Sequence, residues 1–201
     1  LPGTAAEILD DDVRAVICSD KVNTEEWLEC HRVAHEIGLH SNITIMYGSV
    51  EHPEHWARHM IRTRDLQKIT GGFTEFVPRP FVHMESPLWH KGKARSGPSL
   101  REAILMHAVP RLVFGALLPN VQTSWVKMGP EGAALCLNAG ANDLGGTLME
   151  ETISRMAGSQ YGSSRTAAEL VAMKNGAAAD TLLNVRDAKV ALDIAADTLS
   201  S

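Results

Sequence analysis

The sequence is short of cysteine, of aromatic residues and of positive charge. Its 201 residues include 3 cysteines, 5% aromatic side chains and a formal net charge of -5. Cys18, Cys30 and Cys136 are too few and too widely spaced for a disulfide framework or a structural zinc site, so we expect small core residues. Because the cations are scattered among acids, the composition argues against nucleic-acid binding.

Long apolar runs are also missing. No stretch approaches the roughly 20 apolar residues that cross a bilayer, and no basic region followed by an apolar stretch opens the chain. We therefore expect no membrane association and a soluble protein of the cytoplasm, with an organelle as the alternative. The chain opens with Leu-Pro-Gly rather than methionine, from which we expect a truncated product of a longer gene.

The apolar content of 44% is enough for one packed domain, in which helices and strands alternate. Capping signals and apolar residues at helical spacing predict the helices, and short β-branched runs predict the strands. The predicted strands cover residues 42–47, 73–77, 121–126 and 141–144. The predicted helices cover residues 24–37, 54–69, a stretch from 100 that Pro110 should kink, 130–138 and 148–157.

Strands separated by helices indicate an α/β fold with right-handed crossovers and a parallel sheet. Four such strands form either a small doubly wound sheet or half of an eight-stranded barrel, since a complete barrel needs about 250 residues. We expect the half-barrel in residues 1–157 and two loosely packed helices in residues 158–201. Because its two edges would be open, the isolated chain should aggregate or dimerise.

Alternation along two strands separates polar from apolar side chains. We expect Asn42, Thr44 and Met46 to face the barrel interior, with Gln122 and Ser124 beside them. Buried polar groups need partners, and each unpaired one costs on the order of 1–3 kcal/mol. The pattern predicts either a polar ligand or an internal network of water and side chains.

Three ionisable residues lie at or near the predicted strand ends, where parallel α/β folds bind ligands. Glu75 lies in an apolar strand and needs a partner, either a neighbouring Arg or Lys or a ligand amine or hydroxyl. Lys127 would present a cation that suits a carboxylate, although rim lysines are often only solvated. His83 is a candidate general acid or base, and the alternative is a structural loop histidine.

The segment 142–147 joins the last predicted strand to a helix. Its two glycines allow close backbone approach, and Thr147 can cap the helix while free amide groups bind an anion or a carbonyl oxygen. A tight turn without a ligand is the alternative.

Two pairs of histidines are four residues apart, which places each pair on one face of a helix. These pairs, His31 with His35 and His55 with His59, could share a metal ion. Both fall on covering helices among Glu and Arg, so we expect surface histidines and no metal site.

Seven stretches together resemble the radical S-adenosylmethionine enzymes that make the deazaflavin chromophore of the factor-420 coenzyme. The resemblance is to the tyrosine-using component, which is also the C-terminal half of fused FO synthases, and it covers about residues 1–157. The stretches are LPGTAAEILDDDVR, DKVNTEEWLE, SNITIMYG, GGFTEFVPRPFVHMESP, GPSLREAILMHAV, NVQTSWVKMGPEG and AGANDLGGTLMEE.

The resemblance implies a transferase with a radical mechanism. In that family a 4Fe-4S cluster held by three cysteines cleaves S-adenosylmethionine, and the resulting radical attacks L-tyrosine. A 4-hydroxybenzyl fragment is then joined to 5-amino-6-(D-ribitylamino)uracil. The fold implied is the C-terminal half of a radical enzyme's TIM-type barrel.

Carried over position by position, the resemblance assigns candidate roles to three sets of residues. The candidate cofactor-binding residues are Thr44, Met46, Gly48 and Pro78. The candidate catalytic residues are Glu75, His83 and Lys127. Substrate binding falls to Gln122, Ser124, Asn142, Asp143, Gly145, Gly146 and Thr147.

The chain departs from the family in four features. It has no Cys-x3-Cys-x2-Cys loop, so the resemblance implies cluster ligands in a missing N-terminal half-barrel and an inactive isolated chain. Arg79 stands where the family usually has an apolar residue, Pro110 interrupts a helix, and the likeness ends near residue 175. The alternatives are a related menaquinone enzyme of the futalosine route, a non-catalytic binding protein or remnant, and a histidine-based metal-dependent hydrolase.

Overall fold

The computed structural model describes residues 1–148, 152–162 and 164–176. Part of the predicted helix 148–157 and most of the predicted tail therefore lie outside the described residues. The described elements, in chain order, are α1 (Asp11–Ile17), α2 (Thr24–Glu36), β1 (Ser41–Tyr47), α3 (Pro53–Thr70), β2 (Phe73–Pro80), α4 (Pro87–His90), α5 (Leu100–Phe114), a 3-10 turn (Gly115–Leu117), α6 (Trp125–Ala139), α7 (Ile153–Met156) and α8 (Ala167–Gly176).

The predicted helix starts are confirmed by reciprocal capping. Asn23 accepts a hydrogen bond from the Glu26 amide, and the Glu26 carboxylate accepts one from the Asn23 amide, both at 2.9 Å. Ser99 and Glu102 form the same arrangement at the start of α5. Each capping box satisfies amides that a helix start would otherwise leave unpaired. Helix α5 contains Pro110 and continues for one further turn to Phe114.

The sheet is parallel, as predicted, but only its first two strands are regular. β1 and β2 pair in a register that joins Ile43 to Phe76 and Tyr47 to Pro80. Single parallel bridges then connect Phe76 to Val121 and Gln122 to Asp143. Along the sheet the four segments therefore follow one another in chain order.

The prediction of a strand over residues 121–126 is wrong beyond its first residues. The backbone turns into helix α6 at Trp125, and the Ser124 carbonyl accepts hydrogen bonds from the Lys127 and Met128 amides at 3.1 and 2.9 Å. Gly129, at φ 69°, interrupts this helix before it resumes at Pro130. The predicted strand 141–144 is likewise reduced to one bridge, at Asp143.

The apolar face of β1 forms the centre of the core. Ile43, Ile45 and Tyr47 are fully buried in one cluster that includes Trp27 of α2 and Met106 of α5. This confirms the predicted alternation, because the intervening side chains point to the opposite face of the sheet. A smaller cluster joins the start of α6 to Leu170 and Met173 of α8.

The outer edge of β1 is covered by the first residues of the chain. The Met46 amide donates to the Glu7 carbonyl at 2.8 Å, and the Gly3 amide donates to Asn42 Oδ1 at 2.5 Å. The expectation of two open sheet edges is therefore wrong for this edge, since part of its hydrogen-bonding capacity is used.

The expectation of surface histidines is wrong for one member of each pair. His31 is 3% exposed and His59 is fully buried. On α2, His31 takes an inner position, whereas its neighbour Cys30, which we expected in the core, is exposed. Among the described residues, no helix is long and apolar enough to cross a membrane.

Candidate functional site

A cavity of about 250 Å³ extends from Asn42, near the start of β1, to the carboxyl ends of the other parallel segments, the usual ligand-binding end of a parallel α/β fold. It brings together several of the predicted site residues. Its lining consists of Asn42, Val77, Arg79, Gln122, Ser124, Trp125, Val126, Lys127, Leu144, Gly145, Leu148 and Ser154.

Glu75 connects three neighbouring parallel segments beside this cavity. Its carboxylate accepts one hydrogen bond from Asn42 Nδ2 and another from Gln122 Nε2, both at 3.2 Å. The expected Arg or Lys partner is absent among the described residues, and the two amides take its place. Two amide donors satisfy the two oxygens without a counter-ion.

This arrangement fixes the direction of the Gln122 side chain. Because its Nε2 donates to Glu75, its Oε1 faces the neighbouring turn, and a Cβ added to Gly145 would lie 3.0 Å from that oxygen. Gly145 also has a φ of 80°, which disfavours any other residue there. Gln122 therefore turns its amide oxygen toward Gly145, which lines the same cavity.

A second cavity, of about 170 Å³, lies beside the first along β1. Thr44 and Met46 line it as predicted, and Arg79 and Lys127 line both cavities. The Thr44 hydroxyl itself donates to the Gly3 carbonyl. Its contribution to this cavity is therefore chiefly its position in the wall.

The turn after β1 explains why Gly48 is glycine. Its φ is 95°, and a Cβ would lie 2.3 Å from the Pro98 ring. The Gly48 amide donates to Glu51, which is 1% exposed and also accepts from the Ser49 amide at 2.9 Å and from Trp56 Nε1 at 3.1 Å. Gly48 thus shapes the turn, without lining either cavity.

Sequence reasoning missed Glu51 as the residue that organises this turn. Burial pushes the pKa of Glu51 upward, but hydrogen bonds from the Gly48 and Ser49 amides outweigh it and hold the pKa below its ordinary value. The sequence did contain a signal for this role, because Glu51 is an acid that lies between the glycine turn and Pro53, the first residue of α3.

The residues of segment 142–147 divide between two ends of the sheet. Asn142 Oδ1 accepts from the Val121 amide at 2.8 Å and from Arg111 Nη2 at 3.0 Å, away from the cavity. Asp143 Oδ1 accepts from the Gly145 amide at 2.5 Å. The ligand-binding roles predicted for both stay predictions, and their oxygens are engaged within the protein.

The glycine turn itself is held by Trp125, which sequence reasoning assigned to a strand. Its Nε1 donates to the Gly146 carbonyl at 3.0 Å, and the Arg165 guanidinium lies 5.5 Å from its ring centroid. The Thr147 carbonyl accepts from the Arg165 amide at 3.0 Å. The predicted cap by Thr147 concerns residues that lie partly outside the described ones.

Two predicted residues are not brought to the cavity wall. His83 lies in the loop after β2, where its ring packs edge-on against Trp89 with centroids 4.8 Å apart. Pro78 is buried within β2. Their assigned roles stay predictions.

The described residues contain no group of three His, Cys, Asp or Glu side chains that could hold a metal ion. Cys18 and Cys136 are buried and Cys30 is exposed. Burial raises the pKa of the Cys136 thiol to about 11, so this sulfur is poorly suited to act as a thiolate ligand.

The chain is thus an α/β protein with a small parallel sheet and a polar cavity at the carboxyl ends of its strands. A family model described as the CofH/MqnC C-terminal region matches residues 70–184, more than half of the chain. The chain therefore belongs to this family.

Its relatives include much longer proteins. The FO synthase of Mycobacterium leprae (strain TN) is 56% identical over 176 residues, which are 88% of this chain and 20% of that protein. The FO synthase of Nocardia farcinica is 53% identical over the same shares. The chain spans about a fifth of the length of these relatives.

A shorter relative matches the same part of the chain. The 5-amino-6-(D-ribitylamino)uracil--L-tyrosine 4-hydroxyphenyl transferase of Methanopyrus kandleri is 52% identical over 171 residues, which are 85% of this chain and 46% of that protein. These matches confirm the resemblance to the C-terminal part of the tyrosine-using component of FO synthase.

Proposed function

We propose that this chain is the substrate-facing part of an FO synthase. In the proposed reaction, the 4-hydroxybenzyl group of L-tyrosine is transferred to 5-amino-6-(D-ribitylamino)uracil by radical chemistry that starts from S-adenosylmethionine. The observation that carries the proposal is the 52% identity to the Methanopyrus transferase over 85% of the chain.

The sheet supports a barrel rather than a doubly wound arrangement. Its four parallel segments follow chain order, from β1 through β2 and Val121 to Asp143. A doubly wound sheet reverses its strand order at a switch point, whereas a barrel does not. We propose that the segments are the C-terminal half of a TIM-type barrel, completed by protein outside this chain.

The residues of this chain do not fit the iron-sulfur cluster. Its described part has no grouped thiols, and cluster binding needs several thiolates together. The 4Fe-4S cluster would therefore be held outside this chain, and the isolated chain would be inactive.

S-adenosylmethionine fits only in part. The second cavity, at about 170 Å³, is smaller than the roughly 300–1,000 Å³ that usually hold a small molecule. Thr44 and Met46 would border the nucleoside, and the remaining wall would come from elsewhere in the barrel.

The larger cavity suits the substrates. Gln122 offers an acceptor for a ring or amine N–H, Glu75 holds that amide in place, and Lys127 offers a cation for a carboxylate. Gln122 and Lys127 both line this cavity, and Glu75 bonds to Gln122 beside it, which supports the proposed roles of these three residues.

The test is an anaerobic assay of the chain combined with the rest of its parent protein after iron-sulfur reconstitution. Ring-labelled L-tyrosine and 5-amino-6-(D-ribitylamino)uracil are supplied, and mass spectrometry follows the label. We expect labelled product that joins the two substrates. Cleavage of S-adenosylmethionine without transfer of the label, or a parent gene lacking the Cys-x3-Cys-x2-Cys motif, would contradict the proposal.

The family description favours one second candidate, because it covers MqnC as well as CofH. The alternative is a related radical enzyme of menaquinone biosynthesis by the futalosine route. In the same assay, product from a futalosine-derived substrate and none from L-tyrosine would assign the chain to this alternative. Specific binding of the ribityl uracil without any turnover would favour a non-catalytic remnant.

A further inference from the structure

Arg79 and Lys127 lie where the two cavities meet. Arg79 lies near the carboxyl end of β2, opposite Met46 of β1, and Lys127 lies in the first turn of α6. Both side chains line both cavities. A ligand that extends from one cavity to the other would therefore pass these two cations.

The charges nearby leave Arg79 available to a ligand. Its side chain is exposed, and no hydrogen bond or ion pair within the described part of the chain involves its guanidinium. Glu7, which lines the second cavity, is paired with Lys21 at 2.7 Å. Glu75 accepts from two amides instead.

The larger cavity has a consistent electrostatic character. Among the described residues that line it, the charged side chains are Arg79 and Lys127, and both are cations. Lys127 Nζ donates to the Pro80 carbonyl at 3.3 Å, which holds the ammonium close to the end of β2. These two cations are suited to a ligand with negative charge.

The two cations have complementary binding chemistry. A guanidinium offers parallel N–H donors that match both oxygens of a carboxylate, and an ammonium adds a compact point charge. The rest of the wall offers an acceptor at Gln122 and apolar side chains such as Val77 and Leu144. An aromatic amino acid can place its carboxylate on the two cations and its ring against the apolar side chains, whereas an inorganic anion would use only the cations.

We propose that Arg79 and Lys127 form a carboxylate-binding subsite that holds the α-carboxylate of an amino-acid ligand at the junction of the two cavities. The naming of an amino acid rests on the proposed function, in which both L-tyrosine and S-adenosylmethionine carry this group.

The experiment is calorimetric titration of the 201-residue chain and of its Arg79→Leu, Arg79→Lys and Lys127→Met variants. The ligands are L-tyrosine and tyramine, which lacks the carboxylate, together with S-adenosylmethionine and its decarboxylated form. Arg64→Leu, which removes an arginine paired with Asp65 on α3, is the matched control. Thermal unfolding of each variant checks its fold.

We expect Arg79→Leu to raise the Kd for L-tyrosine about 10- to 100-fold, the loss typical of a charge-assisted pair. The Kd for tyramine should change less than twofold. The Kd of Arg79→Lys for L-tyrosine should lie between those of the wild type and Arg79→Leu. Arg64→Leu should match the wild type. The same selective loss with S-adenosylmethionine instead of L-tyrosine would support the subsite and assign it to that ligand.

An equal loss for ligands with and without the carboxylate, or no loss in either variant, would overturn the subsite. Titration with 5-amino-6-(D-ribitylamino)uracil, which has no carboxylate, separates the two proposals. If the chain binds the uracil but shows no carboxylate preference, only the subsite fails. If the chain binds neither the uracil nor any amino-acid ligand even when combined with the rest of its parent protein, the proposed function and the subsite fail together.

Discussion

The two ends of the parallel sheet use polar residues in opposite ways. At the amino end, where β1 and β2 begin, histidine, serine and glutamine side chains bond to one another and to the backbone. At the carboxyl end, acceptors and cations line a cavity. The difference separates polar residues that bond within the fold from polar residues that line a cavity.

The amino end is organised by the hydroxyl of Ser41. Its Oγ lies 2.8 Å from His31 Nδ1 and 2.7 Å from His35 Nε2. His35 Nδ1 in turn contacts the Thr70 hydroxyl at 2.7 Å. Each of these polar groups has a partner within the protein, which is how buried polar groups avoid a desolvation cost.

Two other side chains complete the closure of this end. Gln67 accepts from the Phe73 amide at 2.8 Å and donates to the Leu117 carbonyl at 2.9 Å. At the start of the third parallel segment, the Val121 amide donates a hydrogen bond to Asn142 Oδ1. A polar residue at the end of a strand therefore indicates a ligand-binding site only when that end is known to be the carboxyl end.

The largest expected effect is a loss of stability in acid, caused by two buried histidines: His31, at the amino end of the sheet, and His59 of α3, which accepts a hydrogen bond from the Leu9 amide. Burial lowers the pKa of His31 to about 4 and the pKa of His59 to about 3. Below about pH 6.5 both histidines take up protons in the unfolded chain but stay neutral in the folded chain. Their contribution to the unfolding free energy is therefore complete above that pH and falls as the pH drops toward 4. Each histidine should remove on the order of 3 kcal/mol of unfolding free energy.

Urea unfolding between pH 7 and pH 4.5 measures this loss. In His31→Gln, whose amide can still bond to Ser41, the loss should be smaller by about 2–3 kcal/mol than in the wild type. An unchanged pH dependence would contradict the assignment of His31 as a buried neutral partner.

A somewhat smaller effect is expected from a methyl group at Gly72. A Cβ there would lie 2.1 Å from His35 Cγ, and the ring cannot move without losing its bonds to Ser41 and Thr70. We expect Gly72→Ala to lower the unfolding free energy by about 2–3 kcal/mol, measured in urea. The same change in a His35→Ala background should cost at least about 1 kcal/mol less, and equal costs would contradict the steric account.

A matched pair of serine variants compares the two ends directly. Ser41→Ala leaves two imidazole nitrogens without their partner and should cost about 1–2 kcal/mol of unfolding free energy. Ser124→Ala removes a hydroxyl that lines the cavity and makes no capping bond, so it should cost less than about 0.5 kcal/mol. Equal costs in thermal or urea unfolding would remove the distinction between the ends.

Glu75→Gln, beside the cavity, should affect ligand binding more than stability. A glutamine amide can accept from one of Asn42 and Gln122 but not from both, so the Gln122 amide loses its fixed direction. We expect stability to change by less than about 1 kcal/mol and the Kd for 5-amino-6-(D-ribitylamino)uracil to rise about tenfold. Calorimetry that finds unchanged affinity would show that this acceptor does not meet the uracil.

Local signals account for the part of the fold that the sequence predicted. The capping residues Asn23 and Ser99 and the stop at Gly71 act within a few residues of the chain, so they can be predicted without tertiary context. The strands β1 and β2 were likewise visible as β-branched or aromatic runs next to glycine.

The failures arose where packing overrides a local pattern. Val121 to Val126 alternate like a strand, but Trp125 buries its ring and bonds to Gly146, which turns the backbone into a helix. His31 was assigned to the surface because it lies on a covering helix among Glu and Arg, yet Ser41, ten residues later, supplies its partner. Such partners are brought together only by the fold.

The candidate site shows the same division. Strand alternation placed Asn42, Gln122 and Ser124 on the inner face, and all three line the cavity. The same reasoning could not tell that Asn142 lies at the opposite end, or that Arg79 joins two cavities. Both facts depend on the length of each parallel segment before the backbone leaves the sheet.

The most direct test of the account is the mapping of ligand contacts by nuclear magnetic resonance. Titration of the labelled chain with 5-amino-6-(D-ribitylamino)uracil should shift the amide signals of Gln122, Lys127 and Gly145 while leaving those of Ser41 and Gly72 unchanged. Shifts centred on Ser41 and Gly72, or no shifts at millimolar ligand, would contradict the claim that the carboxyl end of this sheet is the ligand-binding end.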